Sequence, residues 1–195
     1  MAEPALKHLT FDELEAMEDR DGLRHELWGG EPVAMTGGTP AHNLIALALA
    51  RTIYPQLKGT PCRVFMADVG LRLSTSTRSN KAYPDVMIVC NPKPEAYQTE
   101  PVLVAEVLSE SSVGRDRNTK FKAYKALAAV QTYLILSQTA VEIEVYRRAS
   151  GWIEEVFRGG EAVIELAQPL LRLPLRAIYE DVWDDLIGGN TERGG

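Results

Sequence analysis

Two apolar runs of strand length do most to limit what this chain can fold into. Val86-Met87-Ile88-Val89-Cys90 follows Tyr83-Pro84-Asp85, and Val102-Leu103-Val104-Ala105-Glu106-Val107-Leu108 comes shortly after. Both are too short to be membrane spans and read as core strands. Each carries one carboxylate where a core side chain is expected. Glu106 is the sharper case, with four apolar residues before it and two after. A lone buried carboxylate costs several kcal/mol unless it is paired, protonated or bound to a metal. If the runs pair as neighbours, Asp85 and Glu106 share one face and form a pair able to hold a divalent cation.

The surrounding pattern supplies the layers such strands need. Thr10-Phe11-Asp12-Glu13 is a capping box opening a helix, and residues 24–35 read as a hairpin turning at Gly29-Gly30. An apolar helix runs from His42 to Leu57 and ends near Gly59. Residues 62–73 alternate well enough to suggest one long strand, and the polar segment 74–81 reads as a mobile loop. A helix from about Ser112 to Ala129 follows the second acidic run. Strand-like segments come next at 131–137, 141–148, 152–157 and 161–166, with a turn at Ala149-Ser150-Gly151. A short amphipathic helix at 176–186 closes the pattern. Helices flanking a mixed sheet make the fold α/β or α+β. Residues 1–187 form a single domain, and 188–195 are a Gly-rich tail expected to be disordered.

Composition narrows the function classes. No apolar run approaches the length of a membrane helix, and Met1-Ala2-Glu3-Pro4 lacks the features of a signal peptide. Cys62 and Cys90 show no CxxC pattern and no disulfide framework, which points to a reducing cytoplasm. The net charge of −6 argues against sequence-blind coating of nucleic acid. It leaves room for a local basic patch at Arg115, Arg117, Lys120, Lys122 and Lys125. His8, His25 and His42 have no zinc-ligand spacing, and His42, just before an apolar helix, reads as a capping or packing residue. Gly37-Gly38 lacks the Gly-Lys-Ser/Thr of a phosphate loop, and no GxSxG elbow is present.

On a helical wheel, Val113, Phe121, Tyr124, Leu127 and Ala128 share one face of the helix after Glu106. Lys120 falls inside that face and Asp116 at its edge, whereas Lys122 and Lys125 point away. An inward ammonium needs a counter-charge, from Asp116 or from the strand carboxylates. Metal-assisted phosphodiester hydrolysis calls for this donor set: carboxylate ligands for Mg²⁺, with Mn²⁺ also suitable, and a cation beside the attacking water. Asp85 and Glu106, with the Val107 carbonyl, are the candidate ligands. A structural ion-pair cluster is the competing interpretation, and Glu26 is a third candidate acid.

These residues resemble the Uma-type restriction endonuclease family of the PD-(D/E)XK nuclease superfamily. The likeness rests on His25-Glu26-Leu27-Trp28-Gly29-Gly30-Glu31, Tyr83-Pro84-Asp85-Val86, Glu106-Val107-Leu108-Ser109, Asp116-Arg117-Asn118-Thr119-Lys120-Phe121 with Tyr124, and Gln131-Thr132-Tyr133-Leu134-Ile135-Leu136-Ser137. It runs from about Thr10 to Asp185. The resemblance implies a restriction-endonuclease-like mixed sheet of four to five strands flanked by helices, with an N-terminal β-hairpin extension. It makes Asp85 the Pro-Asp acid, Glu106 the second acid and Glu26 the additional acid near the N-terminus. The usual lysine two residues after the second acid is absent, because position 108 is leucine; its role falls to Lys120 on the helix.

The expected activity is Mg²⁺-dependent hydrolysis of DNA by a cytoplasmic homodimer, with Asp85, Glu106 and Lys120 central and Glu26 and Asp116 supporting. The alternative is a binding module that keeps the nuclease fold without turnover. An open site with room for a metal favours the enzyme, and a direct Glu106–Lys120 pair favours the module.

Overall fold

The computed structural model describes residues 8–35, 37–75, 78–108 and 115–188; the side chains of 74–75, 78–79, 115–117 and 187–188 lie outside the description. Helix α1 spans Phe11–Asp21 and opens on the capping box read from the sequence: Thr10 Oγ1 accepts from Glu13 N, and Glu13 Oε2 accepts from Thr10 N. Strands β1 (His25–Trp28) and β2 (Glu31–Ala34) form the expected hairpin. Its turn residues Gly29 and Gly30 have φ of 63° and 88°, a conformation that favours glycine.

Helix α2 (Pro40–Ile53) is capped by Thr39 and continues into a 3₁₀ turn at Tyr54–Leu57, close to the helix expected from His42 to Leu57. The stretch 62–73 is two strands rather than one. β3 (Cys62–Met66) and β4 (Gly70–Thr75) lie in different sheets, separated by a turn in which Val69 N donates to Met66 O. Gly70 marks the break, since a Cβ there would run into the Tyr97 ring.

The segment expected to be a mobile loop is instead mostly strand. β5 (Arg78–Ala82) pairs antiparallel with β4 on one side and meets β1 at Leu27↔Lys81 on the other; residues 76 and 77 lie outside the description. Polar composition misleads here because the strand carries buried polar pairs. Lys81 is 1% exposed and donates to Glu18 at 2.6 Å, and Asn80 accepts from Gly29 N.

Strands β6 (Val86–Cys90), β7 (Tyr97–Gln98) and β8 (Pro101–Leu108) precede helix α3 (Arg115–Ala126). β9 (Thr132–Ser137), β10 (Glu142–Arg147) and β11 (Glu154–Arg158) then extend the sheet, and β12 (Val163–Ala167) pairs with β13 (Leu170–Pro174). No strand was expected at β13. The helix expected at 176–186 is broken into α4 (Leu175–Ile178), a 3₁₀ turn at Glu180–Val182, and α5 (Trp183–Gly188). Gly188 therefore ends a helix rather than beginning a tail; residues 189–195 lie outside the description.

The central sheet has six strands in the order β11-β10-β9-β8-β6-β3, one or two more than expected. All its pairings are antiparallel except β8 with β9, which α3 connects as a crossover. A second sheet, β2-β1-β5-β4-β7, holds the N-terminal hairpin. Alternate residues of β8 serve the two faces. Leu103, Ala105 and Val107 join α2 in one core cluster, while Val104 joins Tyr124 and Tyr133 on the α3 side.

The expectation for the cysteines fails as well. Cys62 and Cys90 are register partners on β3 and β6 and form a disulfide. The spacing of two cysteines 28 residues apart carries no sign of this, because strand pairing alone brings them together. The inference of a reducing compartment from unpaired cysteines loses its premise. Among the described residues, no helix is long and apolar enough to cross a membrane.

Candidate active site

β6 and β8 pair antiparallel with Val86 opposite Ala105, so one step further Asp85 stands opposite Glu106. Both acids thus sit at one end of the central sheet, where α2 arrives over one face and α3 over the other. Asp85 lies in the connection from β5 to β6 and so joins the two sheets. Its Oδ2 accepts from Val107 N at 2.7 Å, which ties it to β8.

From α3, Lys120 turns inward as the wheel requires. Its Nζ lies 3.1 Å from Glu26 Oε1, and 3.3 and 3.4 Å from the two Glu106 oxygens. One turn on, the buried Tyr124 hydroxyl donates to Glu106 Oε1 at 2.6 Å. Glu26 enters from β1 in the second sheet, where period two puts Trp28 on the same side. Trp28 Nε1 donates to Glu26 Oε2 at 2.9 Å and Tyr83 N to Glu26 Oε1 at 3.2 Å. Glu26 thereby fixes both the lysine and the chain entering Asp85.

Two contributors were not recognised in the sequence. His42, read as a capping or packing residue, places Nε2 3.1 Å from Asp85 Oδ2. Tyr124 was counted in an apolar face and in the motif of the family resemblance, but was given no role in the site. Its position four residues after Lys120 was the available signal, whereas nothing local connects His42 with Asp85. Asp116 lies within the α3 backbone, and its side chain is outside the described residues. Of the basic run, Lys122 and Lys125 are exposed and Lys120 is drawn into the site.

The charges are crowded. Burial pushes the Glu106 carboxyl up to about 8; Asp85 and Glu26 add to the rise, while Lys120 and the Tyr124 hydrogen bond oppose it. His42 is raised by its hydrogen bond to Asp85, with burial acting against it. Glu26 and Glu106 are 7% and 8% exposed. Burying this many acids is costly, and the cost falls when positive charge stands among them.

A model of the Uma2 family, described as "Putative restriction endonuclease", matches residues 11–176. The chain belongs to the Uma2 family. Two Synechocystis sp. relatives, both called uncharacterized proteins, are similar over most of their length. Protein slr1290 is 34% identical over 143 residues, covering 72% of this chain and 74% of its own. Protein sll1609 is 30% identical over 168 residues, covering 83% and 94%. A crystal structure from Anabaena variabilis, titled a putative nuclease belonging to DUF820, shares the fold at a TM-score of 0.69 and 17% identity. It covers 88% of this Uma2 chain and 98% of its own.

Among the described residues, no three His, Cys, Asp or Glu side chains stand close enough to enclose a metal as placed. The donor chemistry nevertheless suits a hard divalent cation. Asp85 and Glu106 are opposed oxygen donors, and Mg²⁺ ordinarily takes only one or two carboxylates and completes its shell with water.

Proposed function

We propose that this Uma2 protein is a metal-dependent DNA endonuclease whose lysine acts from helix α3. The observation that carries this reading is Lys120 Nζ reaching Glu26 and Glu106 at the sheet end where Asp85 stands opposite Glu106. Asp85 and Glu106, with the Val107 carbonyl, would hold Mg²⁺ or Mn²⁺. When bound, that cation would neutralise phosphate charge and acidify water.

The protein's own groups do the rest. Lys120 orients the attacking water and offsets the charge developing on the phosphate oxygens. Glu26 holds Lys120 in place and Tyr124 holds Glu106. The water oxygen forms the new P–O bond as the bond to the 3′ oxygen breaks, releasing a 3′-hydroxyl. Cutting both strands calls for two such sites, so we extend the proposal to a homodimer.

The direct Lys120–Glu106 contact favours the alternative of a binding module. At 3.3–3.4 Å it is longer than the roughly 2.7–2.9 Å of a strong charge-assisted hydrogen bond, and so leaves the lysine exchangeable. Incubation of supercoiled and single-stranded DNA with Mg²⁺ or Mn²⁺ tests the choice. Cleavage that falls at least 100-fold in both Asp85→Ala and Lys120→Ala supports the enzyme. Activity equal in wild type and both variants, or absent from folded wild type, rejects it.

A further inference from the structure

The proposed ligand set leaves the His42–Asp85 contact without a role. His42 stands at the third position of α2, where its N–H donates to the capping Thr39 Oγ1 at 3.1 Å. The ring is held from behind as well. A Cβ on Gly38 would come within 2.8 Å of His42 Nδ1, so the loop approaches the imidazole through a bare glycine. With its backbone capped and its Nδ1 edge covered, the ring presents Nε2 to Asp85 Oδ2 at 3.1 Å. The acceptor is equally fixed, because Val107 N donates to the same oxygen. Helix α2 and the chain entering β6 thus bring an imidazole nitrogen and a carboxylate oxygen together beside Glu106 and Lys120.

That spacing has a second meaning. In an octahedral shell with bonds of about 2.1–2.2 Å, neighbouring donors lie roughly 3.0–3.1 Å apart. The His42–Asp85 pair therefore matches the edge of such a shell without moving either element, the cation taking the place of the Nε2 proton, which is released to solvent. An imidazole donor also changes selectivity. Mg²⁺ takes oxygen ligands almost exclusively, whereas a nitrogen donor raises the relative affinity of first-row transition metals, among which Mn²⁺ best suits the carboxylate and water ligands that complete an octahedral shell.

We infer that His42 is a direct metal ligand alongside Asp85 and makes the site select Mn²⁺ over Mg²⁺. This rests on the reading of the site as a divalent-metal centre. Gly38 is then a positioning residue that sets the ring.

The test is Mn²⁺ binding to tag-free protein, followed by electron paramagnetic resonance, with pulsed detection of ¹⁴N coupling from a directly bonded imidazole. Wild type, His42→Ala, His42→Gln and Asp85→Ala are compared, with circular dichroism confirming folding and Mg²⁺ competition giving selectivity. The expected result is ¹⁴N coupling in wild type that disappears in both His42 variants. Mn²⁺ affinity should fall at least tenfold in those variants while Mg²⁺ affinity changes less than threefold. Mn²⁺ binding that needs Asp85 but shows no ¹⁴N coupling overturns the role of His42 and leaves the metal site standing. Folded wild type that binds no Mn²⁺, or binds it equally well without Asp85, removes both.

Discussion

Replacing Glu106 with Gln tests how the site manages buried charge. In the folded protein the carboxyl titrates at about 8, against an ordinary 4.5. Between those values the native state keeps a proton that the unfolded chain has released, so stability falls as pH rises from about 4.5 to 8. At 1.36 kcal/mol per pH unit the ceiling is about 5 kcal/mol. Part of this is returned as the ionised carboxylate draws Lys120 closer and admits water, leaving about 2–4 kcal/mol. Glu106→Gln keeps the shape and an oxygen that accepts from the Tyr124 hydroxyl, but never ionises. Urea unfolding midpoints in EDTA, from pH 5.0 to 8.5, should coincide for wild type and variant at the acid end and diverge steadily above it. At pH 8.5 the variant should be the more stable by about 2–4 kcal/mol. His42, whose pKa is also raised, contributes stability present below its ordinary 6.5 and lost as pH rises through its raised value. The Asp85 hydrogen bond is the largest cause of that rise and Glu106 a smaller one, so most of the His42 slope is common to both proteins. Parallel curves at all pH values would refute the account of Glu106 as a charge held at a cost.

Other perturbations follow from single contacts. Tyr124→Phe removes the 2.6 Å donor to Glu106 and should cost about 1–3 kcal/mol in urea unfolding at pH 6; no change would mean the carboxyl is held by other groups. Lys120→Met leaves Glu26 and Glu106 facing each other without their shared cation. It should lower stability by about 2–3 kcal/mol, less than for a fully buried pair because the lysine side chain is 15% exposed. Its cost should shrink in Glu26→Gln/Lys120→Met, and strict additivity would refute the coupling. Breaking the Cys62–Cys90 bond by the double Ser substitution frees a 28-residue separation and should cost about 3–4 kcal/mol. Dithiothreitol should then no longer shift the unfolding midpoint of the variant. Gly38→Ala should leave secondary structure intact by circular dichroism yet displace the His42 ring, seen as a shift of its imidazole resonances.

Local chemistry was legible wherever local interactions decide the outcome. The Thr10–Glu13 box, the Gly29-Gly30 turn and the apolar rhythm of α2 depend on neighbours a few residues away, and the structure has them. Lys120 was legible for the same reason, since a helical wheel fixes its direction. The polar segment around Asn80 was misjudged because its side chains are satisfied by Gly29 and by Glu18 beneath Lys81, partners far along the chain. The Cys62–Cys90 bond and the approach of His42 to Asp85 are likewise products of strand register and helix placement. No spacing rule encodes them.

The origin of Glu26 bears on how the site comes into being. Glu106, Lys120 and Tyr124 belong to one β–α unit, whereas Glu26 meets Lys120 across 94 residues of chain and from the second sheet. Closing so long a loop is entropically late, so the central sheet is expected to consolidate before its lysine acquires both partners. A shortened or slowly docking N-terminal layer would then leave a largely formed protein with Lys120 poorly placed. On the proposed reading, competence for chemistry becomes a checkpoint passed only by the fully assembled chain.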